Sequence, residues 1–404
     1  MTWTPKRIGA KFLLDPRVET LVSVFVNAGE GDAMRFVGGC VRNELMNLPC
    51  SDIDVATTLT PDRVKEIFEA AGHNVHPTGL EHGTVTVAIK GEPFEITTLR
   101  RDVETDGRRA VIEFSTDWRE DAERRDFRCN AIYMDAMGYL FDPVGGGIED
   151  AMNRRLIFVG DAEQRIREDY LRVLRLFRFQ ATLGATGDDV GLEACRKLAS
   201  GITTLSGERI EKEMMKLMAS VDPVPSVKSM VDTGVYDFII SGQRPDLRVL
   251  GHTVRATKDP VVRLAALFDY NDTAADETMN HWKSSGDLRR QVRGAIVPLP
   301  NVMESDLKAI IYKVGFPAFR DRLTLSWANS FATSVDDLNA MLARLEADVP
   351  VFPIKGQDIV DAGQAPGKAV GVILKDVESW WVETGYPDRE ACLARIQLSV
   401  GENA

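Results

Sequence analysis

Residues 37–45, Val37-Gly38-Gly39-Cys40-Val41-Arg42-Asn43-Glu44-Leu45, are soon followed by Ser51-Asp52-Ile53-Asp54-Val55-Ala56. With Met34-Arg35-Phe36 before it, the first run reads as a short strand, a glycine turn and the start of a helix. Glycines let a backbone approach a phosphate closely, and the unsatisfied N–H groups of a helix N-terminus favour an anion. Arg42, one turn in, adds a planar fork that suits phosphate oxygens. The spacing is neither Gly-x-Gly-x-x-Gly nor a Walker lysine loop, so dinucleotide and P-loop readings fail. In the second run one residue separates Asp52 from Asp54. On a strand both carboxylates share a face, with Ile53 and Val55 on the other. Adjacent carboxylates repel unless a cation lies between them, and magnesium favours oxygen ligands and substrate phosphates. Alone, Gly-Gly is a tight turn and Asp-x-Asp a solvated strand edge. In close succession they bring a triphosphate cradle beside candidate metal ligands.

Working outward, residues 15–28 read as an amphipathic helix with Val18, Leu21, Val22, Phe25 and Val26 on one face. Pro61 starts another helix, running to about Ala71, with Thr60 as its cap. Thr84 to Ile89 alternates as a strand, Lys90-Gly91-Glu92 turns, and Phe94-Glu95-Ile96-Thr97 returns. Glu95 faces away from Phe94 and Ile96. If its strand lies near Asp52 and Asp54, three carboxylates converge, as two-metal nucleotidyl transfer requires. A polar stretch, Arg100 to Arg109, joins this hairpin to later strands near Tyr133 and Tyr139 to Phe141. From Ala162 onward helical periodicity dominates. The expected fold is α+β: an N-terminal head with a mixed sheet and helices, followed by an all-α neck, body and tail. The expected divisions are 1–150, 151–215, 216–345 and 346–404.

The chain has 404 residues and a net charge of −12. It is long enough for several cores and too acidic for a general nucleic-acid coat, so any nucleic acid must meet local basic patches. Five scattered cysteines and five histidines give no zinc spacing and fit a reducing cytoplasm. No apolar run is long enough to span a membrane, and the N-terminus has no signal-like core. The reading is a soluble, cytoplasmic protein with no obligatory protein partner evident.

Further motifs follow in order: Arg124-Arg125-Asp126-Phe127-Arg128-Cys129-Asn130-Ala131, Asp142 to Asp150, Glu168-Asp169-Tyr170-Leu171-Arg172 extended by Arg175 and Arg178, and Glu208-Arg209-Ile210-Glu211-Lys212-Glu213. With the glycine turn and Asp-x-Asp, this series resembles the nucleotidyltransferase superfamily, in the class that holds CCA-adding enzymes and bacterial poly(A) polymerases. Phe352 to Asp358, continued by Gly367 and Gly371, resembles the tail of these enzymes. Two positions depart from the family pattern. Asn43 stands where aspartate is usual, and Arg128-Cys129 where Thr-Ile or similar is usual.

The resemblance implies an enzyme that extends tRNA from CTP and ATP with Mg2+. Asp52 and Asp54 would bind metal, and Glu95 would position or activate the 3′-hydroxyl. Gly38, Gly39, Arg42 and Arg125 would hold the triphosphate. Asp169 and Arg172, three apart on an expected helix, share a face. Cytosine and adenine both offer an amino donor beside a ring-nitrogen acceptor. A carboxylate accepts from the first and a guanidinium donates to the second. Uracil and guanine offer the reverse, and such mismatched polar groups can be rejected by up to about 10⁴-fold. Arg175 and Arg178 continue that face as supports for the base readers or the phosphates. The Asp142 to Asp150 run is expected to be structural, and Glu208, Arg209 and Glu213 to brace head against neck. Arg100 to Arg109 is expected to be a loop whose full length accompanies complete CCA addition. Candidate tRNA contacts are Arg289, Arg290, Arg293, Lys308, Lys313, Lys355 and Lys368. The competing readings are a poly(A) polymerase, an enzyme adding only CC or only A, and an inactive RNA-binding protein.

Overall fold

Pro16 opens the first helix, α1 (Pro16–Asn27), where a missing N–H is harmless. Asp15 caps it by accepting from the Arg17 N–H at 2.8 Å. The computed structural model describes residues 6–50, 52–79, 83–105, 110–240, 242–300, 304–330 and 334–401. Val18, Leu21, Val24 and Phe25 of α1 are buried. Val26 is exposed instead of sharing their face, because it lies one helical step, about 100°, beyond Phe25.

The head continues with β1 (Met34–Val37), α2 (Gly39–Met46), β2 (Asp54–Thr57), α3 (Pro61–Ala70), β3 (Asn74–Gly79), β4 (Thr84–Ile89) and β5 (Glu92–Thr98). Then come β6 (Arg100–Thr105), β7 (Ala110–Phe114), α4 (Trp118–Glu123), β8 (Tyr133–Met134), β9 (Leu140–Phe141) and α5 (Gly147–Met152). Thr60 caps α3 as expected. Lys90 and Gly91 both take positive φ, 51° and 87°, the two-residue hairpin geometry that matches strand twist. It pairs Ile89 with Glu92 and Thr86 with Glu95.

Seven strands form one sheet in the order β3-β4-β5-β2-β1-β8-β9. The β2/β5 pair is parallel and places Asp54 opposite Glu95. Phe36, Val55, Val85, Val87 and Ile96 are buried on one face with α1 and α3, while Val37, Ala56 and Tyr133 meet Ala122 of α4 on the other. Arg100 to Thr105 is not a loop: β6 pairs antiparallel with β7, with Arg101 opposite Glu113 and bonded to it at 2.7 Å. A cross-strand ion pair supports strand character in this polar segment. Its tip, 106–109, lies outside the described residues.

Helices follow. After a short parallel pair, β10 (Arg155–Leu156) with β11 (Thr186–Gly187), the neck comprises α6 (Ala162–Glu168), α7 (Leu171–Leu183), α8 (Asp189–Leu198), a 3₁₀ turn at Ala199–Thr204 and α9 (Gly207–Met218). Eleven further helices are described between Val224 and Gly401. One buried cluster runs without interruption from head residues to Leu338, so the sheet and neck share a core. A separate cluster centred on Ile359, Val377 and Trp381 stabilises the last segment. Trp381 is therefore core, with its indole N–H donating to the Pro387 carbonyl at 2.8 Å. No helix among the described residues is long and apolar enough to cross a membrane.

Candidate active site

Gly38 leaves β1 with φ 72°, a conformation that glycine takes without steric penalty. This turn points α2 at a cavity of about 570 Å³ lined by Gly38, Gly39, Arg42, Asp54, Asp169, Arg172 and Arg175, together with Arg100, Arg124, Arg125, Asp126, Asn130, Leu171, Phe179 and Arg209. Seven arginines against three aspartates make it a basic hollow in an acidic chain. Low-dielectric walls strengthen such a field toward a polyanion.

Asp54 is half-buried and opens β2. Asp52 precedes the strand and is exposed, and Ser51 lies outside the described residues. The strand expected from 51 to 56 thus starts at Asp54, and strand alternation does not place Asp52. The register instead sets Glu95 beside Asp54, with Glu95 exposed and Phe94 and Ile96 buried. Among the described residues no three His, Cys, Asp or Glu side chains gather closely enough to form a metal cage. The convergence is therefore looser than expected, because Asp52 lies on the loop. Burial pushes the Asp54 carboxyl up in pKa; Arg125 draws it down, and Glu95 and Asp52 add to the rise. Half-buried carboxylate oxygen beside further carboxylates is a donor set that suits a hard divalent cation.

Arg42 is buried, and burial lowers its pKa. Its guanidinium donates to Asn130 Oδ1 at 2.5 Å and to Asn43 Oδ1 at 2.8 and 3.1 Å, and lies over the Phe179 ring. Asn43 thus does the orienting work that an aspartate would do, without neutralising the arginine, and donates onward to the Pro49 carbonyl at 2.7 Å. Arg125 approaches the glycine turn: a Cβ on Gly38 would lie 3.5 Å from Arg125 Nη1 and 3.9 Å from Asp54 Oδ2.

What holds Arg125 is Asp121, a residue the sequence reading passed over. Its two oxygens accept from Arg124 at 2.6 Å, Arg125 at 2.9 Å and the Tyr133 hydroxyl at 2.6 Å. Burial alone would raise the Asp121 pKa, but the Arg125 and Arg124 charges outweigh it and hold the group well below the usual carboxylate range. The available signal was spacing: Asp121 precedes Arg124 and Arg125 by three and four residues, which puts them on one side of a helical turn.

Asp169 and Arg172 do not sit on one helix. Glu168 ends α6, Asp169 is extended with φ −155° and ψ 105°, and α7 begins at Leu171. The chain breaks here because Asp169 turns its carboxylate onto the new helix, accepting from the Leu171 N–H at 3.1 Å. Its other oxygen accepts from Arg209 at 2.8 Å. Arg172 donates to Glu168 and to the Arg165 carbonyl, both at 2.6 Å, and to the Arg124 carbonyl at 3.0 Å. Both nevertheless line the cavity. Arg175 joins them, paired with Asp126 at 2.6 Å. Arg178 does not line it. It pairs with Glu213 and stacks on Phe179 at 3.7 Å, so Glu213 ties α9 to α7 within the neck instead of bracing the head. Glu208 reaches Lys283 at 3.6 Å.

The Asp142 carboxylate accepts N–H groups from Gly145, Gly147 and Ile148, which closes the glycine turn before α5. Arg128, the second departure, packs its guanidinium over Gly146 and donates to buried Asp150 at 2.6 Å. It thereby ties two motifs together. Of the candidate RNA contacts, Arg290, Arg293 and Lys308 are paired with Asp287, Asp272 and Asp348.

Sheet, cradle and carboxylates together define a nucleotidyltransferase head. Residues 34–157 match the poly A polymerase head domain, 190–247 an RNA- and SrmB-binding region of polymerase A, and 254–396 tRNA nucleotidyltransferase domain 2. The chain is 34% identical over 388 residues to human mitochondrial CCA tRNA nucleotidyltransferase 1, covering 91% of this chain and 87% of the relative. It is 30% identical over 379 residues to the CCA-adding enzyme of Latilactobacillus sakei, covering 89% and 92%. The Bacillus stearothermophilus CCA-adding enzyme in complex with CTP superposes with a TM-score of 0.75 at 25% identity, over 97% of this chain and 100% of that one. The chain belongs to the CCA tRNA nucleotidyltransferase family.

Proposed function

We propose that this chain adds C, C and A to the 3′ end of tRNA from CTP and ATP without a nucleic-acid template, with Mg2+ as its metal. The observation that carries the reading is the arginine-rich cavity that joins the Gly38-Gly39 turn and Asp54 to Asp169 and Arg172. Arg42 and Arg125 hold the triphosphate against the glycine turn. Asp169 and Arg172 read the base edge. Each carboxylate oxygen of Asp169 already accepts one bond, and a carboxylate has further lone pairs with which to accept a base amino group. Asp52 and Asp54 would hold the metal, which supplies Lewis-acid stabilisation of phosphoryl charge. Glu95, beside Asp54 in register, orients the tRNA hydroxyl. The hydroxyl gives up its proton, to Glu95 or water, as its oxygen bonds to the α-phosphorus and the bond to pyrophosphate breaks.

We assign residues 1–150 to catalysis, 151–215 to base selection, and 216–345 with 346–404 to holding tRNA by shape and phosphate contacts. Five unpaired cysteines support a reducing compartment, which we take to be the cytoplasm; cell fractionation tests that placement. The test of function is incorporation on a tRNA transcript lacking its CCA end, with labelled CTP or ATP and Mg2+, read at single-nucleotide length. Addition of C, C and A followed by a stop is expected, and Asp52→Ala with Asp54→Ala should abolish it. A stop after CC, a long A ladder, or tRNA binding without addition would replace the reading with a CC-adding enzyme, a poly(A) polymerase or an inactive RNA-binding protein.

A further inference from the structure

Gly201 lies in the 3₁₀ turn Ala199–Thr204 after α8, outside every motif. Nothing in its backbone demands glycine: its φ is outside the left-handed region. Yet a Cβ built on Gly201 would fall inside the Tyr170 ring, against Cε1, Cδ1 and Cζ. The ring lies directly on the Gly201 backbone and packs against the main core. Tyr170 and Asp169 are the only two residues between α6 and α7, so any shift of the ring that its own torsions do not absorb is passed to the Asp169 backbone.

The Arg172 backbone N–H donates to the Asp169 carbonyl at 3.0 Å, but its guanidinium is held differently, by Glu168 and the Arg165 carbonyl on α6 and by the Arg124 carbonyl at the end of α4. A push on the Tyr170 ring therefore acts on the Asp169 carboxylate more than on the Arg172 guanidinium, which is anchored from α6 and α4. We propose that Gly201, acting through the Tyr170 ring, is a positioning residue for template-free base selection, setting the offset between Asp169 and Arg172. The inference rests on the reading of Asp169 and Arg172 as base readers.

Carbon atoms pack at about 3.5–4.0 Å, so Gly201→Ala must drive the ring away by about 1 Å or more. Misplacement on that scale can cost roughly 10²-fold in rate. The experiment uses the full chain and a tRNA transcript ending in CC or lacking CCA, with each of the four nucleoside triphosphates. Gly201→Ala should lower the preference for CTP and ATP over UTP and GTP by about 10- to 100-fold. Inhibition by pyrophosphate should stay unchanged, because the cradle of Gly38, Gly39 and Arg42 is not touched; a general loss of structure would weaken it too. In a Tyr170→Ala background there is no ring to displace, so adding Gly201→Ala should change selection no further. That pair carries the test if the single Gly201→Ala chain does not fold.

Asp169→Ala run alongside separates the two layers. If Asp169→Ala loses selection while a folded Gly201→Ala keeps it, or if Gly201→Ala acts equally with and without the ring, the positioning role is wrong. If Asp169→Ala itself keeps the preference for CTP and ATP, the base-reader assignment falls first.

Discussion

Replacing Asp121 by alanine should damage stability and triphosphate affinity together while leaving base choice intact. Asp121 is 1% exposed and is the shared acceptor for Arg124, Arg125 and Tyr133. Both arginine side chains are largely enclosed, at 18% and 21% exposure. Removing one partner of a buried pair leaves the other charge uncompensated and costs about 3–5 kcal/mol. In urea unfolding the midpoint should fall by the equivalent of that loss at unchanged slope. Freed from Asp121, Arg125 no longer presents Nη1 beside Gly38 and Asp54. A loss of about 1.4–2.8 kcal/mol in triphosphate binding corresponds to a 10- to 100-fold rise in KM. That rise should be equal for CTP and ATP, since Arg125 touches no base-reading group. Steady-state incorporation with each nucleotide, on chain confirmed as folded by circular dichroism, measures it. A folded Asp121→Ala chain with normal KM values would refute the claim that this carboxylate aims Arg125. A change confined to one nucleotide would move Asp121 into base selection.

Gly38→Ala forces a side chain into φ 72° and should cost about 1 kcal/mol of stability, with KM raised for both nucleotides; a thermal melt and the same kinetics check it. Asn43→Asp should turn two hydrogen bonds from buried Arg42 into ion-paired ones, worth about 1 kcal/mol more, but it loses the donor to the Pro49 carbonyl. It should leave Tm little changed while weakening triphosphate affinity, because the arginine charge is then shared. Burial works against ionisation of Asp126, but Arg175 and Asn130 outweigh it and hold its pKa down. The stability it contributes is therefore complete above the unfolded value near ~3.9 and is lost as pH falls below that toward the folded value. Asp126→Asn should accordingly lower Tm at pH 7 and flatten the acid limb of a Tm-against-pH curve.

The sequence showed the sheet's core and the cradle because those depend on local rules. Alternation in Thr84 to Ile89, the Lys90-Gly91 turn and the Gly38-Gly39 break are each set by neighbours in the chain, and each appears where expected. It misplaced Asp52 because a strand boundary depends on pairing, and β1 offers its partner for β2 only from Val37 opposite Asp54. It drew one helix through Asp169 because helical periodicity continues across the break. The carboxylate that follows α6 and accepts the first N–H of the next helix is visible only once its acceptor geometry is known. Asp121 escaped for another reason: a buried carboxylate between two arginines looks in sequence like one more charged residue on a solvated helix face.

Asp121 bears on how an acidic protein builds a basic site. Arg124, Arg125, Arg172, Arg175 and Arg209 each have a carboxylate partner, namely Asp121, Glu168, Asp126 or Asp169. The pairing fixes each guanidinium fork in place, so little conformational freedom remains to be lost when a nucleotide binds, and preorganised charge is more effective than mobile charge. Pairing also reduces the net field, which matters least for groups that read a base by hydrogen-bond direction and most for groups that hold a polyphosphate. Arg42 fits the second need. It faces the glycine turn and is oriented by the neutral oxygens of Asn43 and Asn130, so its charge remains available to an anion. The departure at Asn43 therefore places the least compensated of these charges at the cradle, beside carboxylate-paired Arg125, while paired Arg172 stands where direction decides.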